Sequence, residues 1–193
     1  VKRLIISVAP GRFAYAMLNL ATFFYVKDAT GSITMAGFAT GLEGAASALT
    51  AGIRAGFIDR YGQTKPFAIQ VPLWTFFVYL MTINDHNVWV LVMATFVGLF
   101  SPPINLASRP LWRDAVGAAN LRTAYAIDTT LLNMTTVVGP IAATFVALQV
   151  SGAAALWLTC VMMAIGGFAM MTMPLSRKWK PEVAEPSVKG LFR

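Results

Sequence analysis

Three ionisable residues stand inside long apolar stretches of this sequence: Arg12, Glu43 and Asp128. If these stretches cross a bilayer, each charge costs at least about 2.5–3.5 kcal/mol and needs a partner, water or a proton. Arg12 and Asp128 have similar predicted depths, about 12 Å from the inner face, and we predict that they pair. Glu43 lies near the midplane with no basic residue at its depth, which indicates protonation or contact with a cation. Glu43 and Asp128 are therefore the candidates for proton or ion coupling.

Other chemistries have no support in the sequence. His86 is the single histidine, and it lies in a polar segment between two apolar stretches; Cys160 is the single cysteine, within the last of them. The sequence contains no Walker-type GxxxxGK(S/T), no HExxH, no GxSxG and no cysteine–histidine metal spacing. We predict that the protein is not an enzyme and has no catalytic residues, no metal site and no cofactor.

Six apolar stretches fill almost the whole chain. A chain of 193 residues that is 57% hydrophobic and 12% charged is not an ordinary soluble domain, since soluble domains carry about 25% charged residues. Each stretch is close to the ~20 residues that a helix needs to cross a bilayer. We predict an all-α integral membrane protein, with a basic cytoplasmic tail or linker at 175–193 after a bundle within 1–174. The predicted spans are 4–26, 32–57, 66–83, 88–108, 123–149 and 153–173.

Basic residues fall on one side of these spans. If the N-terminus is inside, the outer loops hold only Lys27 and the first span holds Arg12. Cytoplasmic loops are enriched in Lys and Arg, so the pattern predicts six crossings of the cell (plasma or inner) membrane with both termini cytoplasmic. The basic residues behind the net charge of +7 lie at the ends of the spans and do not form one continuous stripe. This distribution excludes nucleic acid as a partner and favours membrane lipid. The inner basic residues are Lys2, Arg3, Arg54, Arg60, Lys65, Arg109, Arg113, Arg122, Arg177, Lys178, Lys180, Lys189 and Arg193.

Polar side chains form a stripe on spans 1, 2, 4 and 5, whereas spans 3 and 6 have none. A polar stripe avoids lipid, so we predict that these four helices face water or protein and that spans 3 and 6 face lipid. The alternative is that the stripes only satisfy one another inside the bundle. Pro102 and Pro103 should bend span 4. The predicted solute cavity contains Arg12, Tyr15, Asn19, Thr22, Ser101, Asn105 and Asp128.

Small residues recur at four-residue spacing along span 2, on the side away from Glu43. Such spacing lets a neighbouring helix approach closely, and Gly139 with Pro140 forms a similar small segment in span 5. The residues predicted to serve helix packing are Gly41, Gly44, Gly52, Gly56, Gly139 and Pro140.

The inner end of span 2 resembles the signature of the major facilitator superfamily, G-x-x-x-D-R-x-G-x-(R/K)-(R/K). The resemblance is carried by Asp59, Arg60 and Gly62; it departs at Ala55, where the first glycine is expected, and at Thr64, with the basic residue delayed to Lys65. Gly139-Pro140 is similar to a degraded form of the family's antiporter motif.

The resemblance implies one six-helix half of a twelve-helix transporter, built from two three-helix repeats and similar to the N-terminal half. In that family helices 1, 2, 4 and 5 line the cavity, and helices 1 and 5 are neighbours. The signature implies a gate formed by Asp59, Arg60, Gly62 and Lys65, with Arg109 or Arg113 as partners of Asp59 or with a helix start in the second half.

The resulting hypothesis is a half-size secondary transporter that moves a small solute by alternating access as a parallel homodimer. One alternative is a subunit or N-terminal half that pairs with a separate C-terminal half. Another is a membrane scaffold or regulator that transports nothing. The predicted cavity suits a small polar or amphipathic solute, and the sequence sets neither its identity nor the direction or coupling of transport.

Overall fold

The computed structural model describes residues 2–179, and within that range the chain forms α-helices, one 3-10 turn and short connections, with no strand. The all-α prediction is confirmed for this range. Most of the predicted tail, with Lys180, Lys189 and Arg193, lies outside the described residues. The helices are α1 Lys2–Thr30, α2 Ile33–Tyr61, α3 Thr64–Thr82, α4 Asn87–Leu99, α5 Ile104–Val116, α6 Leu121–Gln149, α7 Gly152–Thr172 and α8 Pro174–Lys178, with the 3-10 turn at Ala118–Asn120.

Short polar residues and glycines set the ends of the long helices. Ser32 and Ser151 cap α2 and α7, each accepting a hydrogen bond from a backbone N–H three residues later, as N-cap serines do. Gly62 ends α2 with a φ of 76°, and its N–H donates to the carbonyl of Ile58 at 2.9 Å. A residue with a side chain rarely adopts this left-handed backbone, so the glycine fixes where α2 stops.

The fourth predicted span is broken in two. α4 ends at Leu99 and α5 begins at Ile104, with Pro102 and Pro103 between them. Because proline donates no N–H and clashes with the preceding turn, the pair interrupts the helix instead of only bending it. The prediction of a bend at this point is therefore confirmed in a stronger form.

The inner connection after span 4 is shorter than predicted. We expected a loop over 109–122, but α5 continues through its amphipathic sequence to Val116 and ends at Gly117, whose φ is 69°. Leu111 and Trp112 are buried, which explains why this segment packs as a helix. The prediction placed the boundary where the apolar run stops, whereas the helix ends at the glycine.

α1 is the centre of the bundle and packs against α7, α6 and α2, while α3 packs against α7 and α4. Glycines allow the closest of these contacts. Gly166 of α7 lies against Gly11 of α1, and a Cβ on Gly139 of α6 would be 2.6 Å from the Cβ of Ala16. The absence of a side chain at these positions lets the backbones approach.

Four segments of the described chain are long and apolar enough to cross a membrane: Arg3–Thr30, Asn87–Val116, Leu121–Gln149 and Gly152–Thr172. These segments indicate a membrane protein. α2 and α3 do not reach this criterion. α2 is about 43 Å long at 1.5 Å per residue, which is enough to cross a bilayer. The charged and small residues along it lower its mean hydropathy, and this is why it does not reach the criterion. Six crossings and the two three-helix repeats remain predictions.

Candidate functional site

A cavity of about 270 Å³, with both polar and apolar residues in its lining, lies between α1, α2 and the broken α4–α5 segment. Four of the predicted cavity residues line it, and so does Glu43, whose side chain is buried. α2 forms the longest wall. The lining residues are Tyr15, Leu18, Asn19, Glu43, Gly44, Ser47, Ala48, Ala51, Arg54, Gly98, Ser101, Pro103, Asn105 and Leu106.

The other three predicted cavity residues, Arg12, Thr22 and Asp128, are buried but do not line this cavity. The hydroxyl of Thr22 has no hydrogen-bond partner in the described chain. Polar stripes on neighbouring helices identify buried polar residues, and they do not separate the side chains that line a cavity from those that bond one another.

Arg12 and Asp128 form a buried ion pair, with Nη1 and Oδ1 2.7 Å apart. This contact confirms the predicted pair. Arg12 also donates to the hydroxyl of Ser108 at 2.8 Å, and the indole N–H of Trp112 donates to Asp128 Oδ1 at 2.7 Å. The pair therefore connects α1, α5 and α6, and the carboxylate already has two partners.

Arg54 lies at the break between α4 and α5. Its guanidinium donates to the backbone carbonyl of Ser101 and, at 3.0 Å, to the hydroxyl of Ser47. Thr50, one turn before Arg54, donates to the carbonyl of Leu99 at 3.2 Å. A broken helix leaves carbonyls without an intrahelical partner, and in a membrane such groups must be satisfied by neighbouring side chains. A cation at the C-terminal end of α4 is also favoured by the helix dipole.

The sequence analysis did not predict Arg54 as a site residue. Arg54 belongs to the polar stripe of span 2, but it was assigned to the inner basic residues because it lies near the end of the span. Two of its partners are the backbone carbonyls of Ser101 and Ser47, which no sequence pattern displays. The stripe formed by Glu43, Ser47 and Arg54 was the available signal.

Several polar atoms of the cavity lining have no hydrogen-bond partner within the described chain. Arg54, Glu43 and Ser101 are 5%, 2% and 1% exposed, and Arg54 Nε, Glu43 Oε2 and Ser101 Oγ each lack a partner there, as does Asn105 Oδ1. Buried polar atoms are normally paired. Both donors and acceptors therefore lie unpaired among the residues that line the cavity.

The predicted gate residues Asp59, Arg60 and Lys65 are exposed, at the end of α2 and the start of α3. Among residues 2–179, Asp59 is not within ion-pair distance of Arg109 or Arg113, so the predicted contact within the chain is not formed. A different residue links the α2–α3 connection to the rest of the bundle. Gln63 is buried and its amide donates to the carbonyl of Ala107 at 2.8 Å, linking the α2–α3 connection to α5. Gln63 occupies a variable position of the signature, which is why the sequence analysis did not select it.

The predicted packing glycines differ in their surroundings. Gly139 is packed tightly against α1, and Pro140 beside it is half-buried. In contrast, a Cβ on Gly41, Gly44, Gly52 or Gly56 would meet no other atom within 4 Å. The close helix neighbour predicted for these four positions is therefore not supplied by the described part of this chain. Gly44 lines the cavity together with Glu43, so the predicted placement of these glycines on the side away from Glu43 is wrong for Gly44.

The family model described as Major Facilitator Superfamily matches residues 4–191. The fold is similar to a crystal structure of the peptide transporter POT, solved as a mutant in complex with sulfate, with a TM-score of 0.74, 15% identity and coverage of 95% of this chain and 40% of that chain. It is also similar to tetrameric PepTSo2, with a TM-score of 0.66, 15% identity and coverage of 88% and 39%. The chain thus spans about 40% of the length of these structures. No curated protein matches the sequence.

Proposed function

Because the chain belongs to the major facilitator superfamily, we propose that it is a secondary transporter that moves a small polar or amphipathic solute by alternating access. Family membership indicates a transporter and not an enzyme. The observation that carries the proposal is the cavity between α1, α2 and α4–α5, whose lining includes buried polar atoms without partners. A cavity of this volume suits a small molecule.

This chain supplies one wall of the transport path, and a second six-helix bundle supplies the other. Gly44 and Ala48 line the cavity, and the adjoining positions of α2 (Gly41 and Gly52) are exposed with open space beyond them. Exposed small residues beside a polar cavity suit close contact with another helix. The second bundle in our proposal is another copy of the chain, inserted in the same direction as a parallel homodimer. A separate C-terminal half is the alternative.

The proposed topology has six crossings of the cell membrane with both termini cytoplasmic. It is supported by the positions of the basic residues, since Lys27 is the only one in the predicted outer loops. In this arrangement the exposed signature residues Asp59 and Arg60 lie on the inner side. Since Asp59 has no ion-pair partner among residues 2–179, we propose that it contacts the second bundle when the inner side closes.

Glu43 is the proposed coupling residue. The second candidate, Asp128, is held by Arg12 and Trp112 at 2.7 Å each, so protonating it would break a buried ion pair. Glu43 is equally buried but Oε2 has no partner in the described chain. It can therefore take up a proton or a cation without breaking an existing ion pair.

Uptake into proteoliposomes that contain only this protein tests the function. We expect at least one solute of a polar panel to accumulate under an imposed pH gradient, and Glu43→Gln to abolish that accumulation while exchange of solute across the membrane without a gradient persists. Lys27→Gln, on the outer side, is the matched control and should behave as the unchanged protein. Absence of flux for every solute would favour the scaffold hypothesis, and full gradient-driven uptake by Glu43→Gln would remove Glu43 from coupling.

A further inference from the structure

The charged residues among those that line the cavity are Arg54 and Glu43, and they have opposite signs. Both project from α2. They are eleven positions apart, but the side chain of Arg54 extends back to the hydroxyl of Ser47. Ser47 is one turn from Glu43, or about 6 Å along the helix axis. A buried guanidinium and a buried carboxyl group therefore face the same small space.

The two side chains do not neutralise each other. They form no salt bridge, and both Arg54 Nε and Glu43 Oε2 lack a hydrogen-bond partner in the part of the chain that the structure describes. The guanidinium bonds to Ser101 and Ser47 use its two terminal nitrogens and leave the Nε–H free. Nη2, the nitrogen beside Nε, donates to both the carbonyl and the hydroxyl of Ser47, so the single Nε–H is the group that can donate a charge-assisted hydrogen bond to a carboxylate.

We infer that this cavity binds a small zwitterion, with its carboxylate on Arg54 and its ammonium group on Glu43. The inference rests on the proposed transport function and names its substrate class. A simple anion would leave Glu43 without a partner, a simple cation would leave Arg54 without one, and a neutral solute would leave both. Leaving a buried charge unpaired is strongly unfavourable, so a molecule that carries both charges satisfies the site best.

The remaining lining residues set the size of this molecule. Leu18 and Leu106 give the cavity an apolar part, while Tyr15, Ser101 and Asn105 offer further polar atoms. A volume of about 270 Å³ admits an amino acid or a molecule slightly longer. Since Glu43 can hold either a proton or the ammonium group, protonation and solute binding would exclude each other at this carboxylate, which is the requirement for exchange of one for the other.

The test is a binding measurement on the purified protein in lipid nanodiscs. Four probes share one side chain: leucine, N-acetyl-leucine, leucine amide and N-acetyl-leucine amide, which are a zwitterion, an anion, a cation and a neutral molecule. We expect leucine to bind about tenfold or more tightly than each of the other three. A second series of ω-amino acids with increasing chain length should show an optimum, which reports the separation of the two charges.

Variants assign each charge to its partner. In Glu43→Gln, N-acetyl-leucine should bind as well as leucine. In Arg54→Lys, which keeps the charge but not the Nε–H, leucine should lose its advantage over leucine amide. Lys27→Gln is the control. Equal binding of all four probes, or preferences unchanged by both variants, would overturn the zwitterion site even if solutes still cross proteoliposomes. Zwitterion binding without any flux would instead overturn the transport function and leave the site assignment in place.

Discussion

Buried charges in this protein are of two kinds. Arg12 and Asp128 bond each other and two further side chains, so they hold helices together. Arg54 and Glu43 retain unpartnered atoms and line a cavity, and we propose that they bind the solute. The predicted depth of each residue in the membrane was enough to predict the pair of Arg12 and Asp128, because both members are side chains and their charges are opposite. It did not predict the role of Arg54, whose partners include a backbone carbonyl.

Removal of one member of the structural pair should destabilise the protein. We expect Asp128→Asn to lower the free energy of unfolding by about 3–5 kcal/mol, because it leaves Arg12 buried without a counter-charge. The double variant Arg12→Met with Asp128→Asn should recover part of this loss. Thermal unfolding can be followed with a thiol-reactive dye, since Cys160 is buried in the folded protein.

Asp114→Asn provides the control for this prediction, since Asp114 is exposed. Its unfolding temperature should equal that of the unchanged protein. An Asp128→Asn variant as stable as the Asp114→Asn control would show that the ion pair does not support the bundle.

Among the elements, the broken fourth span explains most of the site. Pro102 and Pro103 made a bend predictable, but three consequences of the break were not. These are the free carbonyls at the end of α4, their bonds to α2, and the extension of α5 to Val116. They depend on which neighbouring helix happens to face the break. Local sequence patterns carry no information on such tertiary contacts.

The bond from Thr50 across the break should contribute to stability. Thr50→Val keeps the shape of the side chain and removes a hydroxyl that is shared between the carbonyl of Ala46 in its own helix, at 2.8 Å, and that of Leu99, at 3.2 Å. We expect a loss of about 1 kcal/mol in the free energy of unfolding, since a carbonyl is left unsatisfied. Thr75→Val is the matched control, because its hydroxyl bonds within its own helix, to Val71. Equal unfolding temperatures for the two variants would contradict a role for Thr50 at the break.

At the scale of the whole molecule, this chain has a covered side and an open side. α1 is enclosed by its neighbours, whereas α2 exposes Gly41 and Gly52 with empty space beyond them. The sequence predicted small-residue packing at these positions and at Gly139 alike. Spacing alone could not show that only Gly139 meets a helix of the same chain.

Gly52→Leu should separate assembly from folding. Open space at Gly52 lets the chain accommodate leucine, so the unfolding temperature of the monomer should change little. The same side chain would obstruct a second bundle, and we expect loss of the dimer in size-exclusion chromatography with light scattering. Gly139→Leu should instead destabilise the monomer, because its new side chain meets Ala16. A dimer that survives Gly52→Leu would place the interface elsewhere, and an unchanged protein that is only monomeric would favour a separate second half.

The central claim is that α1 and α2 turn a polar side towards an aqueous path while α7 faces lipid. Spin labels at Asn19→Cys and Ala48→Cys, in a Cys160→Ser background in nanodiscs, should collide more with a water-soluble relaxation agent than with oxygen. Labels at Ile165→Cys and Phe168→Cys, both exposed on α7, should show the opposite preference. The account is contradicted if Asn19 and Ala48 report a hydrocarbon environment while Ile165 and Phe168 report water.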